Sequence, residues 1–145
     1  NANNVQSHKA DEYIKQANSK LNKANGFICI DRNGTKEEAA ELFKQAAAQY
    51  KINKMYEKAG DSYIKSAEIH LSIDNQIDAR ISFRDAGKSY RHIGSFNKSI
   101  SSYSSAIQID LDSNRIQQAA KLQKEIGDIY IENELISKAI LSYQQ

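Results

Sequence analysis

Proline and tryptophan are absent from this chain of 145 residues, cysteine and methionine occur once each, and glycine only 6 times. Few glycines and no proline remove the punctuation of loop-rich and sandwich folds and leave helices joined by short turns. A lone cysteine, Cys29, excludes an internal disulfide framework and fits a reducing, cytoplasmic setting. The longest apolar run, Phe27 to Ile30, is far short of the ~20 residues of a membrane span. Charge of one sign is also missing: 20 basic against 18 acidic residues give a net charge of +2, so nucleic acid is not an expected partner. With a hydrophobic share of 40%, the composition is that of a folded chain and not a disordered one. The first expectation is an all-α protein.

What the sequence does contain is apolar residues at helical spacing. Ala10, Tyr13, Ile14, Ala17, Leu21 and Ala24 form one stripe, and Ala39, Leu42, Phe43, Ala46, Ala47 and Tyr50 the next. The pattern predicts helices over residues 5–23, 35–52, 55–71, 75–92, 95–110 and 113–132, and a last one from 134. Thr35 is the expected N-cap of the second helix, with Glu38 completing a capping box. Between the first two lies Asn25 to Gly34, bounded by Gly26 and Gly34, a loop with an apolar middle.

The helices repeat. Ala39, Phe43 and Ala46 recur forty residues on as Ala79, Phe83 and Ala86, then as Ala119, Gln123 and Ile126. Tyr56, Ala59 and Tyr63 recur as Phe96, Ser99 and Tyr103, then as Ile136, Ala139 and Tyr143 by the same steps. Two interleaved series with one period mean stacked helix pairs. Tyr56-x-x-Ala59-Gly60-x-x-Tyr63 and Ala79-x3-Phe83-x2-Ala86 resemble the two helix signatures of a tetratricopeptide repeat, stretched beyond its ~34 residues. The expected architecture is a tetratricopeptide-like, right-handed superhelical solenoid of antiparallel helix pairs, a single domain over residues 1–145. The pattern stops within a repeat, and Asn1 stands where an initiator methionine belongs, so the chain reads as part of a longer protein.

Catalytic chemistry finds no foothold. His8, His70 and His92 fall on three helices with no acid or thiol at ligand spacing, and are expected at the surface or its boundary. Cys29 lacks a neighbouring base and reads as a small hydrophobe. Asp110-x-Asp112-x-Asn114 starts like a calcium loop, but Arg115 and Lys121 occupy the positions of its glycine and bidentate glutamate. The same residues are expected as a turn whose acidic and Asn side chains cap the next helix. No catalytic, cofactor or metal site is expected.

Two features point to binding. Phe27, Ile28 and Ile30 sit in a connection that should be solvated; either the loop folds back on the first helix or it inserts into a membrane interface or a partner. Cations gather near helix ends and on the second helix of each pair: Lys51, Lys54, Arg80, Arg84, Lys88, Arg91, Arg115, Lys121 and Lys124. Stacked repeats align equivalent positions, such as Arg84 and Lys124, so a basic stripe facing an acidic, extended partner is one outcome and a merely solvated face the other. A groove for a peptide tail is the competing binding mode, and an enzyme's regulatory domain the weakest.

The ordered run Glu37-Glu38-Ala39-Ala40-Glu41-Leu42-Phe43-Lys44-Gln45-Ala46-Ala47, then Lys54-Met55-Tyr56-x-x-Ala59-Gly60-Asp61-Ser62-Tyr63, Ala67-Glu68-Ile69-His70-Leu71 and Asp85-Ala86-Gly87, resembles the soluble NSF attachment proteins, the alpha type in particular. The resemblance continues through Ala119-Ala120-Lys121 to Lys138-Ala139-Ile140. It implies an adaptor, not an enzyme, that binds the assembled SNARE four-helix bundle and recruits the hexameric ATPase NSF. By the same resemblance Phe27, Ile28 and Ile30 match a membrane-touching loop, and Lys54, Arg91, Arg115 and Lys121 a SNARE-binding basic face. It further implies a cytoplasmic protein, peripheral on membranes. The family's C-terminal, NSF-engaging bundle has no counterpart in these residues, so weak SNARE binding and no activation of NSF are expected.

Overall fold

A computed structural model describes the backbone over residues 2–143 and side chains from residue 7 onward. Among these residues it is entirely helical: α1 (Ala2–Asn25), α2 (Arg32–Ile52), α3 (Tyr56–Ser72), α4 (Gln76–His92), α5 (Phe96–Asp112) and α6 (Ile116–Tyr143). Each helix packs on the one before and the one after it. Odd-numbered and even-numbered helices thus form two layers of a tetratricopeptide-like solenoid, the architecture the repeat predicted.

Identical three-residue turns set the stacking. Lys54, Asp74, Gly94 and Asn114, twenty residues apart, are the positions of left-handed backbone, with φ of 58°, 59°, 69° and 55°. In each turn the next residue's N–H bonds back to a carbonyl five positions earlier: Met55 to Tyr50, Asn75 to His70, Ser95 to Tyr90 and Arg115 to Asp110, at 2.7–2.9 Å. This is the Schellman closure, which satisfies carbonyls the helix end leaves open. Glycine accepts such a φ freely; Lys54 is held there against a cost of roughly 1–2 kcal/mol.

The repeat positions are the core. Ala39, Ala79 and Ala119 are buried, as are Phe43 and Phe83, and Ala46, Ala86 and Ile126. Small residues admit aromatic rings from the neighbouring helix: a Cβ on Gly60 would meet the Tyr90 ring at 2.5 Å, and one on Gly87 the Tyr103 ring at 2.9 Å.

Four sequence expectations are corrected. The break predicted before residue 134 does not occur, and α6 runs unbroken from Ile116 to Tyr143. Glu134 falls twenty residues after Asn114, at the next turn position, but it is a good helix former and pairs with Lys138 at 2.7 Å in helical i,i+4 register. The second helix starts at Arg32, because Asp31 accepts from the Gly34 N–H at 2.9 Å and serves as N-cap in place of Thr35. His70, expected near the surface, is 2% exposed and packs beside Ile69 between α3 and its neighbours. Asp110, expected to cap α6, is wholly buried, because two arginines answer its charge.

Candidate functional site

The loop between α1 and α2 has a braced base and a bare tip. Gly26 donates its N–H to the Lys23 carbonyl, Asp31 caps α2, and the Thr35 hydroxyl donates to the Asp31 carbonyl at 2.7 Å. Arg32 reaches back to the Gly26 carbonyl at 3.5 Å, and the half-buried Cys29 lies 3.8 Å from the Thr35 hydroxyl. From this base Phe27, Ile28 and Ile30 stand in solvent at 102%, 89% and 103% exposure. A loop folded back on α1 is therefore ruled out. Three such side chains taken from water contribute roughly 1.5–3 kcal/mol each, enough for weak, reversible attachment to an apolar phase.

The four basic residues do not form one cluster. Lys54 in the α2–α3 turn and Arg91 at the end of α4 lie at one end of the solenoid. Arg115 in the α5–α6 turn lies at the other, with Lys121 further along α6, and helices of 17 residues span about 25 Å between those ends. The loop occupies the Arg115 end, as the Lys36 ammonium donating to the Ser72 hydroxyl at 3.4 Å shows by joining the start of α2 to the end of α3.

Two of the four are engaged within the protein. Arg91 donates from Nε to Glu132 at 3.2 Å, pairs with the same carboxylate through Nη2, and meets Glu125 through Nη1. The bond to Glu132 raises the Arg91 pKa above its ordinary value, burial opposing it. Arg115 Nε lies 2.9 Å from Asp110, which also accepts from Arg80 Nε at 2.6 Å. A carboxylate with 0% exposure is tolerable only when so paired. Lys54 and Lys121 are exposed and form no ion pair within 4 Å among the described residues. Arg84 and Lys124, one repeat apart, are taken by Asp85 at 3.0 Å and Asp128 at 3.4 Å.

The sequence reading missed the partners. Glu132 follows Arg91 by forty-one residues, as Lys98 follows Glu57, to which it donates at 2.9 Å. That common offset was available as a sign of bridges between successive repeats. Among the described residues there is no cluster of three or more His, Cys, Asp or Glu fit to hold a metal ion, and no helix long and apolar enough to cross a membrane.

Residues 8–145 match the family described as soluble NSF attachment protein, SNAP. The beta-soluble NSF attachment protein of Bos taurus is 31% identical over 140 residues, which is 94% of this chain and 46% of that protein. The alpha-soluble NSF attachment protein of Homo sapiens is 36% identical over 111 residues, 75% of this chain and 37% of that protein. The Saccharomyces cerevisiae alpha-soluble NSF attachment protein is 31% identical over 138 residues, 92% and 47% of the two chains. The chain spans about half the length of the curated relatives it matches. A helical solenoid with this repeat and this loop, matched by the family over nearly all its residues, belongs to the soluble NSF attachment protein family.

Proposed function

We propose that the chain acts as a peripheral membrane adaptor in vesicle fusion, binding assembled SNARE four-helix bundles on the cytosolic side and serving recruitment of the NSF ATPase. The adaptor holds; the hydrolysis belongs to NSF. The observation that carries this reading is the loop. Three large apolar side chains held out in water by a braced base have no structural use within the solenoid, and they suit a lipid interface.

Within this reading the basic residues divide the work. Lys54 and Lys121 are free to meet an acidic helical bundle, while Arg91 and Arg115 would have to leave Glu125, Glu132 or Asp110 first. Exposed cations set encounter rate and register more than affinity, so binding weakens as salt rises.

Flotation with liposomes of mixed neutral and anionic lipid tests the loop. The chain is expected to float with them in part, and Phe27→Ser combined with Ile28→Ser and Ile30→Ser to remain at the bottom. Equal flotation of the two would refute the loop as the membrane contact.

A further inference from the structure

Large apolar residues left in water are not scattered evenly over the solenoid. From residue 7 to residue 116 they are the three of the α1–α2 loop, Leu71 and Ile77 beside the α3–α4 turn, Leu111 and Ile116 beside the α5–α6 turn, and Ile52 and Ile93. Every one sits in a connection or within two residues of one, and none in the middle of a helix. Successive helices run in opposite directions, so the α1–α2, α3–α4 and α5–α6 connections share one end of the solenoid and the α2–α3 and α4–α5 connections the other. Seven of these nine side chains are therefore at the end that carries the loop, and two, Ile52 and Ile93, at the opposite end. A single exposed isoleucine needs no explanation. A collection of them at the end already marked by the loop does.

Charge at that end selects nothing. The three connections, each taken with two residues on either side, carry Arg32 and Arg115 against Asp31, Asp74 and Asp112. An anionic surface gains little there, so the attraction left is the removal of apolar area from water.

We propose that the whole loop-bearing end of the solenoid is the lipid contact: the loop tip inserts, and Leu71, Ile77, Leu111 and Ile116 settle on the same bilayer surface. This rests on the reading of the loop as a membrane contact and adds the two turns to it. One inserted loop leaves the solenoid free to swivel, whereas contacts at three connections define a plane and stand the helices on it. Lys54, at the far end of the 17-residue α3, is then held about 25 Å above the bilayer. Zwitterionic lipid suffices, and the binding is indifferent to salt.

Flotation with vesicles of phosphatidylcholine alone tests this, beside the triple serine variant of the loop and beside Ile77→Ser with Ile116→Ser. The parent should float alike at low and high salt, and the turn variant should partition at least about fivefold more weakly with its loop intact. Ile77 and Ile116 are 61% and 56% exposed, so that variant should melt like the parent. A second measurement does not depend on it: in a Cys29→Ala background, a nitrobenzoxadiazole label on Ile77→Cys or Ile116→Cys should shift to the blue on the vesicles, and one on Ile93→Cys should not. If the parent stays at the bottom, or the loop variant floats as well as the parent, the loop reading falls and this proposal with it. If the loop variant alone fails to float, then unchanged flotation of the turn variant, or labels at 77 and 116 that behave like the one at 93, overturns the proposal and leaves the loop reading standing. Flotation that needs anionic lipid or falls with salt overturns the apolar contact proposed for this end.

Discussion

The α1–α2 loop and the distal part of α6 both leave several large apolar side chains in water, and they do so for different reasons. On the distal part of α6, Ile136 and Tyr143 are 48% and 90% exposed. Their counterparts one repeat earlier are Phe96, packed against the core, and Tyr103, only 1% exposed. The repeat alone accounts for apolar residues at those positions. No other turn presents three such side chains together: the remaining connections are three-residue closures, and Ile93 in one of them is 45% exposed against 89% or more for Phe27, Ile28 and Ile30. Exposure by itself is a poor guide to function; exposure that the repeat does not explain is a better one.

The same contrast runs through the glycines. Gly87 lies under the Tyr103 ring, whereas a Cβ on Gly127, forty residues on, would meet nothing within 4 Å. The comparison breaks most visibly at the tyrosines. Tyr103→Ala should cost about 3–5 kcal/mol in urea denaturation, as for a large buried ring, and Tyr143→Ala less than about 0.5 kcal/mol. Similar losses at both would mean the distal part of α6 is packed. Next comes Asp110→Ala, which leaves Arg80 and Arg115 facing an empty site and should destabilise by about 3 kcal/mol. Gly87→Ala, by pushing on the Tyr103 ring, should cost about 1–3 kcal/mol, while Gly127→Ala should stabilise by up to ~1 kcal/mol through helix propensity. A like sign for the two would contradict the packing described.

A smaller effect should appear with pH. Neither ring nitrogen of His70 has a hydrogen-bond partner, and burial holds its pKa below the ordinary 6.5, with Lys44 acting the same way and Asp78, Glu37 and Glu41 opposing. Below pH 6.5 the unfolded chain then binds more protons than the folded one, so stability present at neutral pH is lost as pH falls. Thermal melts from pH 7.5 to 5 should show that loss in the parent and a flatter profile in His70→Gln. Smallest of all on stability is the triple serine change at the loop, expected within about 0.5 kcal/mol because those side chains touch nothing. Its effect belongs to flotation alone.

Most of the fold was legible because a period of forty residues marks both helices of each pair, and burial of Ala39, Ala79 and Ala119 follows from it. The loop was legible as an apolar segment without helical spacing, but only the geometry at Asp31 and Thr35 decided between folding back and standing out. The basic residues were legible as charges and not as ion pairs, since Arg91 meets Glu125 and Glu132 through side-chain reach across helices. The unbroken α6 was missed because a turn position is fixed by packing as much as by residue type: Lys54 turns and Glu134 does not. His70 was missed because the helical stripe could not show how closely its neighbours cover it.

The most direct test of the adaptor account is calorimetry of the chain against an assembled SNARE four-helix bundle at low and at physiological salt, beside Lys54→Glu with Lys121→Glu and beside Arg91→Gln. The account predicts salt-sensitive binding that the double charge reversal weakens, and that Arg91→Gln alters far less, because Arg91 is already engaged by Glu125 and Glu132. Binding indifferent to salt and to both lysines, or none at either salt, would contradict it.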